Sequence, residues 1–303
     1  MDVGAACNVQ FIAPAWGADI WSWSAMNYAS TMMIYEKRDR PMTYTHVTVE
    51  RSFQGKVATV TMKRAEVHNA FNAQLIQDLQ AAFSDLSTDE KLHAVVLTGD
   101  GPSFSAGADL SMMKTSATFS HEQNLSDSLR LADLFDTINR CPCPVVARVN
   151  GTAMGGGAGL ISVCDIVIAA ESARLAFSEV KLGIAPAVIS PYVIRKIGET
   201  HARVLFVTGE RFSATRGREI GLVHTVVPLE ELDAALEKVL RELLSSGPQA
   251  LRACKALALN VGHMDHETAR KYTAETIAAL RVSAEGQEGL RSFLEKRQPN
   301  WVL

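Results

Sequence analysis

Two glycine-bearing segments and one glutamate carry the residue types from which this chain could build a reaction site. The first segment is Phe104-Ser105-Ala106-Gly107-Ala108-Asp109-Leu110. The second is Asn150-Gly151-Thr152-Ala153-Met154-Gly155-Gly156-Gly157-Ala158-Gly159. Each directly follows a strand-like run, and small residues at a strand end let a ligand come close to the backbone. Where a helix begins there, its first N–H groups lack partners and point at that ligand. Two such loops could place two donors on one oxygen, stabilising an enolate by about 3 kcal/mol of barrier per donor. The glutamate is Glu179, in Phe177-Ser178-Glu179-Val180-Lys181-Leu182-Gly183. A carboxylate beside an apolar pocket has its pKa raised by desolvation, which suits proton transfer near neutral pH.

Each feature taken singly also has a plain structural reading. Either glycine segment could be a tight turn with close helix packing, and Glu179 could be a surface acid in a Ser-Glu turn. A dinucleotide-binding loop is a further option for the second segment. Gly155 and Gly157 supply two glycines of G-x-G-x-x-G and Glu179 lies a fitting distance downstream, but Leu160 stands where the third glycine belongs. Neither a G-x-x-x-x-G-K-[ST] phosphate loop nor a G-x-S-x-G nucleophile elbow occurs.

Whatever positions these residues must be globular. The chain has 303 residues, of which 47% are hydrophobic and 21% charged, enough to bury a large core. A formal net charge of -3 gives no general attraction for nucleic acid or an anionic membrane, so a phosphate-bearing ligand would need local cations. No apolar run is long enough for a membrane-spanning helix. Five scattered cysteines (Cys7, Cys141, Cys143, Cys164, Cys254) do not form a disulfide framework and read as reduced thiols of a cytoplasmic protein. Cys141 and Cys143 lack a second Cys/His pair, so no metal site is expected.

Val47 and Val49, then Ala58, Val60 and Met62, alternate with polar residues on either side of Gly55, predicting a hairpin. Leu75, Ile76, Leu79, Phe83 and Leu86 follow at helical spacing after Asn72 as N-cap. Strand-like runs at 94–97, 145–149 and 166–170 alternate with helical stretches, one of them at 123–139, which argues for an α/β fold with parallel pairing. Leu232, Leu236, Val239 and Leu243 open a run of amphipathic helices to the C-terminus. The expected division is an extension over residues 1–42, a core over 43–228 and a helical region over 229–303. The extension carries no Lys or Arg up to Tyr35, unlike the start of a signal peptide, and reads as poorly ordered.

Three of these segments, in order and in register, resemble the enoyl-CoA hydratase/isomerase (crotonase) family. Ser105-Ala106-Gly107-Ala108-Asp109-Leu110 is similar to its first signature, and Asn150 to Gly157 followed by Cys164-Asp165-Ile166 to its second. Phe177 to Gly183, with Pro186 behind, is similar to its third. The resemblance runs from Thr45 to Trp301. It implies repeated ββα units and a C-terminal helical region that packs in trimers or dimers of trimers. It also implies an acyl-CoA thioester as substrate, with coenzyme A belonging to the substrate and no separate cofactor. Carried over by position, the oxyanion donors would be the N–H groups of Ala108 and Gly156. Ala70, Ala106, Asp109 and Leu110 would lie along the substrate, and Lys296 would offer a cation to the CoA phosphates.

The departure from the family is at Gly159. Its hydratases generally carry a second glutamate at that position, so Glu179 alone remains as catalytic acid–base. Three readings follow: hydration with a water held by Ser162 or Ser190, proton shuttling between C4 and C2 as in single-glutamate isomerases, or CoA-ester binding without strong catalysis. The stretch Gly183 to Val193 also departs from the glycine-rich family pattern. Together these features resemble bacterial methylglutaconyl-CoA hydratase-like members. Arg148 and Arg195 are candidate partners for a distal substrate carboxylate.

Overall fold

The computed structural model describes residues 44–302, so the expected extension lies outside the described residues. Strands β1 (Val47–Ser52) and β2 (Val57–Met62) form the predicted antiparallel hairpin, with Val47 opposite Met62 and Ser52 opposite Val57. Helix α1 (Ala73–Ser87) begins at Asn72, whose Oδ1 accepts from Leu75 N at 2.8 Å. Its face of Leu75, Ile76, Leu79, Phe83 and Leu86 is buried.

Three strand–strand–helix units follow. The first is β3 (Ala94–Gly99), β4 (Ser103–Ser105), and helices α2 (Leu110–Ser116) and α3 (His121–Asn139). The second is β5 (Val145–Val149), β6 (Thr152–Met154) and α4 (Gly156–Val163), and the third is β7 (Ile166–Ala170), β8 (Arg174–Ala176) and α5 (Ser190–Thr208). Helix α3 starts two residues before the predicted Gln123. Ser120 caps it in a reciprocal box, its Oγ accepting from Gln123 N while Gln123 Oε1 accepts from Ser120 N.

In each unit the first strand joins one sheet and the second strand another. The larger sheet has the order β1-β2-β3-β5-β7-β10 and the smaller β4-β6-β8-β9, where β9 is Phe212–Ser213 and β10 is Thr225–Val227, with α6 (Ala214–Glu219) between them. From β2 to β10 the larger sheet is parallel throughout. A parallel sheet is covered on both faces, which explains the uninterrupted apolar runs. Along β3, Val95 and Leu97 enter the main core, while Ala94 and Val96 face the opposite way onto α7 (Leu232–Leu244) through Leu240 and Leu244. On β5 and β7, Val146, Ile168 and Ala170 meet Leu232 of the same helix.

Helix α7 is therefore a layer of the sheet, although it stands in sequence with the helical region. Beyond it come α8 (Pro248–Asn260), α9 (His266–Val282) and α10 (Ala284–Leu294). Helix α8 is anchored by Lys255, whose Nζ donates to Asp165 Oδ2 at 2.6 Å and to Cys143 O at 3.3 Å.

Candidate active site

Three neighbouring strands of the small sheet deliver the three predicted groups. Strands β4, β6 and β8 lie side by side and parallel. Ala108 follows the end of β4, Gly156 the end of β6 and Glu179 the end of β8. Parallel strands end on one edge, so residues far apart in the chain converge there.

At Gly107 the chain adopts φ +83, a left-handed conformation that side chains disfavour; Gly107 itself is buried and Ala108 exposed. A Cβ at Gly107 would stand 3.4 Å from Gly156 N, so the two donor loops are in contact. Phe71 N donates to Gly107 O and Asp109 N donates to Phe71 O, which leaves the N–H of Ala108 between them without a backbone acceptor among the described residues. Gly156 is the first residue of α4, and its N–H has no backbone acceptor among the described residues either. Two donors from adjoining loops are the arrangement that stabilises a developing oxyanion.

Glu179 opens a short 3-10 helix, Glu179–Leu182. Its Oε1 lies 3.1 Å from the position of a Cβ on Gly155, the residue before the second donor. Its Oε2 is buried and has no hydrogen-bond partner among the described residues. Burial raises the Glu179 pKa above the ordinary carboxylate value, outweighing its own backbone N–H, which favours the anion. A desolvated carboxylate with one oxygen unpartnered, beside the free N–H of Gly156, is suited to taking and returning a proton.

The position of the absent second glutamate is filled by apolar side chains. A Cβ on Gly159 would lie 2.4 Å from Ile189 Cγ2 and 3.1 Å from Phe135 Cζ, and both of those residues are buried. Ile189 comes from the stretch that departs from the family pattern, so the two departures meet in space.

The remaining expected residues fall into distinct places. Ala70 is buried, its carbonyl accepting from Arg64 Nη1, while Ala106 is exposed beside the first donor loop. Asp109 caps α2, accepting from Ser111 N at 2.8 Å, and pairs with Arg64 Nη2 at 2.8 Å. Ser111's hydroxyl and N–H, then Arg64, hold its carboxyl below the usual range. Its side chain thus serves the loop's geometry. Leu110 stands exposed at the start of α2. Lys296 follows α10 with φ +54, is exposed, and is not among the residues lining the groove described next. Ser162 and Ser190 donate their hydroxyl protons to the carbonyls of Ala158 and Ala187. Arg148 pairs with Asp233 of α7 at 2.6 Å, on the sheet face away from the main core, and Arg195 is exposed on α5.

Sequence reasoning missed a groove of about 710 Å³ beside the donor loops. It is lined by His68, Ala106, Met154, Arg174, Lys181 and Arg211, among others. Its cations, Arg174, Lys181 and Arg211, lie on three separate segments, so no local charge cluster in the sequence announces it.

Known proteins resemble this chain in fold and sequence. The family model for enoyl-CoA hydratase/isomerase matches residues 52–302. An enoyl-CoA hydratase of Alternaria alternata is 35% identical over 248 residues, covering 81% of this chain and 80% of that protein. A crotonyl-CoA hydratase of Syntrophomonas wolfei is 30% identical over 263 residues, covering 86% and 99%. The crystal structure of an enoyl-CoA hydratase from Shewanella pealeana superposes with a TM-score of 0.81 at 39% identity, covering 86% of this chain and 97% of that one. With the family model matching residues 52–302 and these relatives covered over most of their length, the chain belongs to the enoyl-CoA hydratase/isomerase family.

Proposed function

We propose that this protein is a one-glutamate hydratase that adds water across a 2-enoyl-CoA. The observation that carries the reading is the buried, partnerless Oε2 of Glu179 beside Gly155 and the Gly156 donor. The N–H groups of Ala108 and Gly156 hold the thioester oxygen. Glu179 takes a proton from water as the water oxygen bonds to C3, and the electron pair of the C2–C3 double bond moves onto the thioester as an enolate. The same carboxyl then delivers the proton to C2, giving the 3-hydroxyacyl thioester with one water consumed. One carboxylate thus serves as base and then acid. Ser162 and Ser190 could take part only as acceptors, because their protons are committed to the backbone.

A branched acyl group such as 3-methylglutaconyl is the substrate we favour, on the resemblance of Gly159 and the 183–193 stretch. Arg148 is unsuited to a distal carboxylate because Asp233 already holds it. The groove cations Arg174, Lys181 and Arg211 supply the local positive charge that coenzyme A phosphates require. Exposed Leu290, Phe293 and Leu294 on α10 support a trimer or dimer of trimers, in which Lys296 could reach a neighbouring site. Buried, unpaired Cys141, Cys143 and Cys164 fit a cytoplasmic setting. No helix among the described residues is long and apolar enough to cross a membrane.

The apolar packing of Ile189 on Gly159 favours a second reading, an isomerase in which Glu179 moves a proton between C2 and C4 of a 3-enoyl-CoA. The deciding experiment is turnover of crotonyl-CoA, 3-methylglutaconyl-CoA and a 3-enoyl-CoA by the wild-type protein and Glu179→Gln. Loss of absorbance of the 2-enoyl esters, abolished in Glu179→Gln, supports hydration. Conversion of the 3-enoyl ester without hydration of either 2-enoyl ester moves the assignment to isomerase.

A further inference from the structure

Asn69 sits outside the groups used above, yet its position is among the most constrained in the molecule. It is fully buried and adopts φ +53, directly after His68 at φ +54. Asparagine tolerates this left-handed region better than most residues, because its short polar side chain can bond locally. Every polar group of Asn69 is engaged. Nδ2 donates to Asp100 O and Ser103 O, both at 2.9 Å, and Oδ1 accepts from Arg64 N at 2.9 Å. Its N–H donates to Arg64 O at 2.8 Å, and its carbonyl accepts from Ser105 Oγ at 2.8 Å.

Ser105 carries this fixation into the first donor loop. Its Oγ also accepts from Gly107 N at 3.3 Å. Beside it, residues 68–71 run as a short parallel track along 106–109. Ala106 N donates to His68 O at 2.9 Å, Phe71 N to Gly107 O at 2.6 Å and Asp109 N to Phe71 O at 2.9 Å. In a parallel bridge the residue opposite the bonding one turns its own N–H and C=O away. Ala108 is that residue, opposite Phe71. The track that Asn69 holds in place therefore decides which way the Ala108 N–H points.

We propose that Asn69 is a positioning residue for the reaction, acting through Ser105 and the 68–71 track to aim the Ala108 N–H at the thioester oxygen. This rests on Ala108 being the first oxyanion donor. Two variants test it. Asn69→Gly keeps access to the left-handed backbone and removes the side-chain bonds, and Ser105→Ala removes only the link from Asn69 to Gly107.

The probe is 2,4-hexadienoyl-CoA, whose conjugated absorption band moves to longer wavelength when its carbonyl is polarised; this readout needs no turnover. Both variants should keep a cooperative thermal transition and bind the probe with a smaller band shift. Their kcat for crotonyl-CoA should fall by roughly 10- to 100-fold, a misaimed donor costing somewhat less than a deleted one. KM should stay within about threefold, because a hydrogen bond that strengthens as charge develops on the oxygen contributes mainly to kcat. A folded Ser105→Ala with the wild-type band shift and kcat would overturn the proposal, and that variant decides if Asn69→Gly does not fold. A wild-type protein that binds the probe with no band shift would remove the donor assignment itself, and the proposal with it.

Discussion

Ile189 occupies the space over Gly159: its Cγ2 lies 2.4 Å from where a Cβ on Gly159 would stand, with Phe135 Cζ 3.1 Å from the same point. Restoring a glutamate there by Gly159→Glu should not create a second acid. Overpacking costs about 1–3 kcal/mol, and a buried carboxylate adds to that. The variant should show a lower thermal midpoint and no gain in hydration, and adding Ile189→Ala should relieve the overpacking without restoring the wild-type midpoint, because the buried carboxylate remains and a core side chain is lost. Paired thermal melts and crotonyl-CoA assays check this.

Glu179→Gln should lower turnover by about 10²–10⁴-fold, the usual weight of a positioned acid–base group. Because Oε2 is buried without a partner, replacing the acid by a neutral amide should leave stability equal or raise it. Thermal melts of both proteins at neutral pH, beside the assay, separate the chemical from the structural effect.

The pH dependence follows from the direction of the Glu179 shift. Its pKa in the folded protein is raised by burial, above the unfolded value of about 4.3. The folded state therefore holds this proton more tightly. Stability from the group is fully present below the unfolded pKa and is lost as pH rises through the folded pKa. Relative to Glu179→Gln, the wild-type protein should thus lose stability with rising pH across that interval. Hydration needs the ionised form, so kcat/KM should fall on acidification through the same raised pKa. A pH series of melts and rates measures both.

Lys255 should matter to the fold and not to the chemistry. It is buried and paired with Asp165 at 2.6 Å, which also accepts from Val145 N. Lys255→Met leaves that carboxylate with Val145 N and partial solvent access, and should cost about 2 kcal/mol for the lost charged hydrogen bond. The protein that remains folded should keep kcat within about twofold, an effect of less than ~0.5 kcal/mol on the barrier. Denaturant unfolding compared with steady-state kinetics tests it.

The groove cations make a separate prediction about the phosphates. Lys181→Ala with Arg211→Ala should raise KM for a CoA thioester about tenfold, as expected from losing a little over 1 kcal/mol of binding. KM for the matching N-acetylcysteamine thioester, which has no phosphates, should hardly change. The difference should shrink as salt is added.

Much of this molecule was present in local patterns. The β1–β2 hairpin follows from alternation around Gly55, and α1 from a 3.6-residue period with Asn72 as its cap. The apolar runs of the parallel strands and the amphipathic face of α7 were equally plain, because short-range spacing reports which faces are buried. The donor loops and Glu179 were readable one by one as types suited to the chemistry.

Their relation to each other was not. Strand order β4-β6-β8 in a second sheet is a matter of long-range pairing, and only that order brings Ala108, Gly156 and Glu179 to one edge. The same holds for Arg148, a candidate ligand by type that Asp233 withdraws, and for Asn69, whose bonds reach across more than thirty positions of chain. The sequence by itself determined that glycines stand where backbone must be approached and that one carboxylate is available. The tertiary structure decided that Ile189 closes the place of a second carboxylate and that Oε2 of Glu179 is left buried without a partner. Burial and contact depend on residues distant in the chain, and no local spacing encodes them.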